Sequence, residues 1–228
     1  MPRSEVGEAA YANEYWGDER LDQAAVIWKV ATKEKLVALT FDDGPKPKNT
    51  AAVLDVLADR KARATFMVVG RNALAHEDLI RREIAGRHEV QNHSWSHADL
   101  AFASKEQAHF EVRRGADVVE KLTGRRPGFF RPPRGDVSGA TLAAAAREDA
   151  QLLMWSVQLH EATYDAAGNA RYVLDHVHPG MVLLAHDTGS ADRIVGLRAM
   201  PALIDGLRDR GYELVTVSEL VEAGTRNG

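Results

Sequence analysis

Cysteine is absent from all 228 residues, which excludes disulfides, thiolate metal sites and a cysteine nucleophile. Any metal must therefore be held by histidine and carboxylate. No apolar run approaches the ~18 residues of a membrane span, so none is expected. The formal net charge of -4 leaves no basic footprint of the kind nucleic acids select, and a DNA or RNA partner is not expected. Internal repeats and low-complexity tracts are missing too. Met1-Pro2-Arg3-Ser4-Glu5 lacks the basic-then-apolar pattern of a signal peptide, so the expectation is a cytosolic chain or one whose leader has been removed. What remains is an ordinary globular composition at a length suited to one α/β domain.

Residues 1 to about 26 are polar, acidic and without periodicity, and read as an N-terminal arm packed through Tyr15 and Trp16. With the arm set at 1–30, the rest of the chain, 31–228, reads as one catalytic domain. From Ile27 onward strands alternate with helices, at 36–41, 64–69, 88–91, 128–131, 152–157, 181–185 and 212–217. Seven such units imply a parallel sheet, closed or nearly closed into a barrel. Local signals agree. Ser104 with Gln107 forms a capping box ahead of Ala108, Val112, Val119 and Leu122 on one helix face, and Gly124 stands where a C-terminal cap belongs. Thr50 is expected to cap a helix carrying Val53, Val56 and Leu57, and Pro201 to kink its helix or begin a new one.

Chemistry concentrates at the ends of these strands. Leu39-Thr40-Phe41-Asp42-Asp43-Gly44-Pro45 places two carboxylates where the first strand ends, and adjacent strand residues serve one site only if the chain turns sharply. Alone, Asp-Asp-Gly is equally the composition of a solvated turn. After the third strand comes His93-Ser94-Trp95-Ser96-His97, two imidazoles four apart; with Asp43 they form a two-histidine, one-carboxylate set that leaves positions open for water and substrate, suited to Zn²⁺ or another divalent ion. Arg131-Pro132-Pro133-Arg134-Gly135 follows the fourth strand, and its Arg131 is either a solvated loop residue or a guanidinium that orients Asp42 and keeps it ionised as a base. The apolar run Met181-Val182-Leu183-Leu184-Ala185 delivers His186 and Asp187 at the end of the sixth. A barrel gathers all these strand ends at one mouth.

In order and spacing, Thr40-Phe41-Asp42-Asp43-Gly44-Pro45, His93-Ser94-Trp95-Ser96-His97, Arg131-Pro132-Pro133-Arg134-Gly135 and Leu184-Ala185-His186 resemble four of the five motifs of the polysaccharide deacetylases, carbohydrate esterase family 4 or the NodB-homology domain, over roughly residues 36–220. The resemblance implies a distorted (β/α) barrel of about seven strands and a divalent metal, usually Zn²⁺, with Co²⁺ or another ion as an alternative. It also implies removal of acetyl groups from N-acetylated, chitin- or peptidoglycan-like glycans, or less often from O-acetylated sugars, and it favours a secreted or cell-surface setting. By position, Asp42 corresponds to the catalytic base, Asp43, His93 and His97 to the metal ligands, Arg131 to the residue orienting the base, Leu184 to part of the acetyl pocket and His186 to the catalytic acid. Arg134 and Trp155 fall at substrate-binding positions.

Two positions depart from the family pattern. Gln158, in Trp155-Ser156-Val157-Gln158-Leu159-His160-Glu161, replaces the aspartate that supports the acid histidine; an amide can orient an imidazole but cannot stabilise its cation as a carboxylate does. Glu161 and Asp187 are the nearby carboxylates in sequence. Arg134 replaces an aromatic residue, and its side chain suits an anionic or extended glycan. The alternatives to a deacetylase are a metal-containing glycan-binding module with impaired turnover and a related barrel amidohydrolase of small cyclic amides.

Overall fold

A computed structural model describes residues 25–160, 163–189 and 191–226. The arm residues Tyr15 and Trp16, and Glu161, lie outside the described residues. The strands are β1 (Val26–Ile27), β2 (Leu36–Asp42), β3 (Thr65–Val68), β4 (Glu89–Asn92), β5 (Phe129–Phe130), β6 (Gln151–Leu153), β7 (Val157–Gln158), β8 (Met181–His186) and β9 (Glu213–Val215). The helices are α1 (Pro47–Asp59), α2 (Gly70–Ala75), α3 (Glu77–Ala85), α4 (Lys105–Thr123), α5 (Gly139–Arg147), α6 (Ala166–His176), α7 (Ala191–Asp209) and α8 (Val217–Arg226).

Every strand pairing is parallel, in the order β1-β6-β5-β4-β3-β2-β8-β7, with β9 against the start of β2. β6 bonds to β5 while β7, four residues on, bonds to β8, so the run 151–158 brings the two ends of the sheet together and the sheet curls into a distorted barrel. Because side chains alternate, Val37, Leu39 and Phe41 of β2 pack outward against the helices. Ala38 points inward with Met67, Leu153, Val182 and Val215 into an apolar plug. The pairs Ala38↔Val182, Thr40↔Leu184 and Asp42↔His186 then stack as successive inner layers, apolar at the bottom and ionisable at the top.

Several local expectations change. The strand expected at 152–157 is two short strands interrupted at Met154–Ser156, because the carbonyls of Leu153 and Met154 turn to Arg131, which donates to them from Nε at 3.0 Å and from Nη2 at 2.9 Å. Val26 and Ile27 form a further strand on β6. Thr50 does not cap α1: the helix begins at Pro47, whose missing N–H costs nothing in a first turn, and the Thr50 hydroxyl accepts from Lys46 N at 2.7 Å from inside it. No new helix begins at Pro201, because α7 continues through it; its packing against the core outweighs the one hydrogen bond a proline nitrogen cannot donate. The Ser104–Gln107 capping box forms in both directions, and Gly124 closes α4 in the left-handed conformation at φ 74°.

Candidate active site

The mouth lies at the C-terminal ends of β2, β4, β5 and β8. Asp42, the last inward residue of β2, is buried, and Asp43 would point outward if the strand continued. It adopts φ 76° instead, which swings its carboxylate back over the mouth. Gly44 is required by close approach: a Cβ there would lie 2.3 Å from Oδ2 of Asp187. Ser94, His97 and Arg134 are also left-handed, at φ 68°, 60° and 61°, so unfavourable backbone conformations gather at this one place.

The two-histidine turn is braced from beneath. Buried Glu111 on α4 accepts from Ser96 N and Ser96 Oγ, both at 2.8 Å, and the backbone N of His97 donates to Ser94 Oγ at 2.9 Å. His93 Nδ1 donates to the Arg131 carbonyl at 2.7 Å, which turns Nε2 toward Asp43. Asp43 Oδ1 stands 3.3 Å from His93 Nε2 and 3.0 Å from His97 Nε2. These three side chains bring their donor atoms within 4.8 Å of one another, as a shared cation requires.

Arg131 is completely buried and spends its donors on the wall of the barrel. Nη1 donates to Asp42 Oδ1 at 2.6 Å and to Thr40 Oγ1 at 2.9 Å; Nε and Nη2 hold the two carbonyls of the broken strand. These four acceptors compensate a guanidinium that water does not reach. Asp42 Oδ1 is thereby fixed while Oδ2 lies 3.7 Å from His93 Nε2. Above these groups opens a cleft of ≈ 190 Å³ lined by Asp42, Asp43, His93, His97, Arg134, Gly135, Trp155, Gln158, Leu184, His186 and Arg193. Larger hollows of ≈ 560 Å³ between α1 and α3 and ≈ 400 Å³ along α4 gather none of the strand-end residues, so size is no guide to the chemistry here.

Burial alone would push the Asp43 carboxyl upward, but hydrogen bonds from His93 and His97 and the charges of His93 and His186 outweigh it and hold its pKa well below the usual carboxylate range. The Asp43 hydrogen bond raises His97, against partial desolvation. The same contact favours the protonated form of His97, so a proton and a cation would compete for that imidazole. Asp187, immediately after His186, faces the other way: it is wholly buried under Gly44, its Oδ2 takes the Thr50 hydroxyl, and its pKa is pushed up to about 7 by burial and by the charges of Asp43 and Asp42.

The structure therefore brings Asp42, Asp43, His93, His97, Trp155, Gln158, Leu184 and His186 to one cleft, with Arg134 at its rim, exposed and paired to Asp99 at 2.8 Å, while Arg131 is buried behind Asp42 and Asp187 points away from the cleft. Gln158 reaches the cleft and accepts from Trp155 Nε1 at 2.9 Å, so its amide orients the indole. Three contributors escaped the sequence. Thr40 anchors Arg131, Glu111 pins the histidine turn, and Arg193 pairs with Asp43 Oδ2. Thr40 was legible by parity, being two residues before Asp42; nothing near Arg193 in the sequence announces it.

Residues 29–153 match the family described as polysaccharide deacetylase. A peptidoglycan-N-acetylglucosamine deacetylase of Bacillus cereus is 33% identical over 201 residues, covering 86% of this chain and 92% of that protein. The peptidoglycan-N-acetylmuramic acid deacetylase PdaC of Bacillus subtilis is 37% identical over 85% of this chain, which spans only 40% of PdaC. Among solved structures, the Bc1960 peptidoglycan N-acetylglucosamine deacetylase superposes with a TM-score of 0.83 at 27% identity, covering 90% of this chain and 96% of that one.

Proposed function

Because the chain belongs to the polysaccharide deacetylase family, we propose that residues 31–228 form a metal-dependent hydrolase that removes acetyl groups from an N-acetylated, peptidoglycan- or chitin-like glycan. The observation that carries this is the juxtaposition of a buried, guanidinium-bound carboxylate, Asp42, with an Asp43–His93–His97 cation site in one cleft. Two imidazole nitrogens and one carboxylate oxygen suit Zn²⁺ or Co²⁺ and leave positions open. A bound cation supplies Lewis-acid polarisation of the acetyl carbonyl and a water of lowered pKa.

The chain's own residues do the rest. Asp42, held by Arg131 through one oxygen, accepts the proton of the attacking water with the other. Leu184 and Trp155 wall the acetyl methyl from solvent, and the backbone amide of Arg134 supports the developing oxyanion. His186, one layer above Leu184 on the same inner row, protonates the departing sugar amine. The exposed Arg134 guanidinium meets the glycan beyond the reacting sugar. Intact placement of Asp42, Arg131 and His186 favours turnover over a binding module, despite Gln158.

The test is acetate release from chitooligosaccharides, peptidoglycan and acetylxylan, with and without chelator. Chelator-sensitive release from the N-acetylated substrates is expected. No release from any of the three by metal-loaded protein would overturn the proposal in favour of glycan binding.

A further inference from the structure

Arg193 stands in the first turn of α7, where the helix dipole disfavours a cation. Its place is nevertheless specified. The side chain crosses Gly189, whose φ is 107° and where a Cβ would lie 2.4 Å from Arg193 Cδ, and it ends against the cleft. There Nη1 takes Asp43 Oδ2, while Asp43 Oδ1 faces both imidazoles. The Asp43 backbone is held separately, its carbonyl accepting from Asn72 Nδ2 at 2.9 Å.

One oxygen of Asp43 is therefore occupied by a guanidinium and the other is presented to the cation site. We propose that Arg193 is a positioning residue that keeps Asp43 a one-oxygen ligand and thereby tunes the site toward small ions of low coordination number, such as Zn²⁺, over ions such as Mn²⁺ that seek six ligands. Carboxylates that bind through both oxygens serve the higher coordination numbers, and Arg193 withholds the second oxygen. The role presupposes that Asp43, His93 and His97 hold the cation.

Removing Arg193 also removes a like charge beside the metal, which strengthens binding of every divalent ion alike. The ratio of affinities isolates positioning from that effect. The experiment measures Zn²⁺ and Mn²⁺ dissociation constants by chelator competition, metal alone, together with the visible absorption of the Co²⁺ form. In Arg193→Ala the Zn²⁺-over-Mn²⁺ preference falls by about 10-fold, the lower end of what partners of metal ligands contribute, and Co²⁺ absorption weakens as coordination number rises. Arg193→Lys retains most of the preference, and Gly189→Ala, which displaces Arg193, moves it in the same direction as Arg193→Ala. An unchanged ratio and Co²⁺ spectrum in Arg193→Ala, with wild type binding metal, would overturn the role of Arg193 alone. Wild type binding neither ion would overturn the metal site as well.

Discussion

β2 and β8 run side by side and end alike: each delivers one ionisable residue inward, Asp42 opposite His186, and each is followed at once by an aspartate. The two aspartates nevertheless have opposite fates. Asp43 turns left-handed at φ 76° and meets two imidazoles, which keep it a strong carboxylate despite its burial. Asp187 follows the strand's alternation to the helix side, meets a threonine hydroxyl under Gly44, and is pushed up to about 7. Residue type is the same in both. One backbone dihedral and the identity of the partners decide which aspartate faces the candidate cation site and which is pushed toward its neutral form.

The largest expected effect comes from removing the group that anchors the inner side of this arrangement. Arg131→Met should lower stability by about 3–5 kcal/mol, the usual cost of leaving one partner of a buried ion pair uncompensated. It also strips donors from the carbonyls of Leu153 and Met154. Chemical denaturation of wild type and variant measures this; a loss under about 1 kcal/mol would mean that Asp42 does not depend on Arg131.

Asp187→Asn sharpens the comparison from the other side. A carboxyl whose folded value lies above its unfolded value binds more protons when folded, so wild-type stability should fall as pH rises from about 4 through about 7. The fully developed loss is at most about 4 kcal/mol. Asparagine cannot ionise, so the gap between pH 5 and pH 8 in metal-free protein should shrink in the variant. An identical gap would place the pH dependence elsewhere.

The smallest effect concerns Gln158, which shares the cleft with His186. A carboxylate there stabilises an imidazolium, so Gln158→Asp should raise activity near neutral pH and move the alkaline limb of the pH–rate profile upward by about 1 unit. No movement would indicate that His186 draws its support from another group.

What could be read from the sequence follows the same division. Strand ends were legible, because apolar runs such as 36–41 and 181–185 finish in charged or imidazole residues, and a parallel barrel leaves such residues one place to go. The α4 caps were legible because their bonds are local. Features decided by distant partners were not: the break at Met154–Ser156 is set by Arg131 just beyond the end of β5, and Thr50 answers to Asp187 across 137 positions. Arg193 belongs to that class too, since its partner Asp43 is 150 positions away and no local spacing marks the pair.

The most direct test sets Asp42→Asn beside Asp43→Asn and measures metal content and acetate release in the same preparations. Asp42→Asn should keep one divalent ion per chain and lose turnover by about 10²–10⁴, the scale of general acid–base catalysis. Asp43→Asn should lose the metal. Equal metal loss in both variants, or turnover near wild type in Asp42→Asn, would contradict the division of labour between the two adjacent carboxylates.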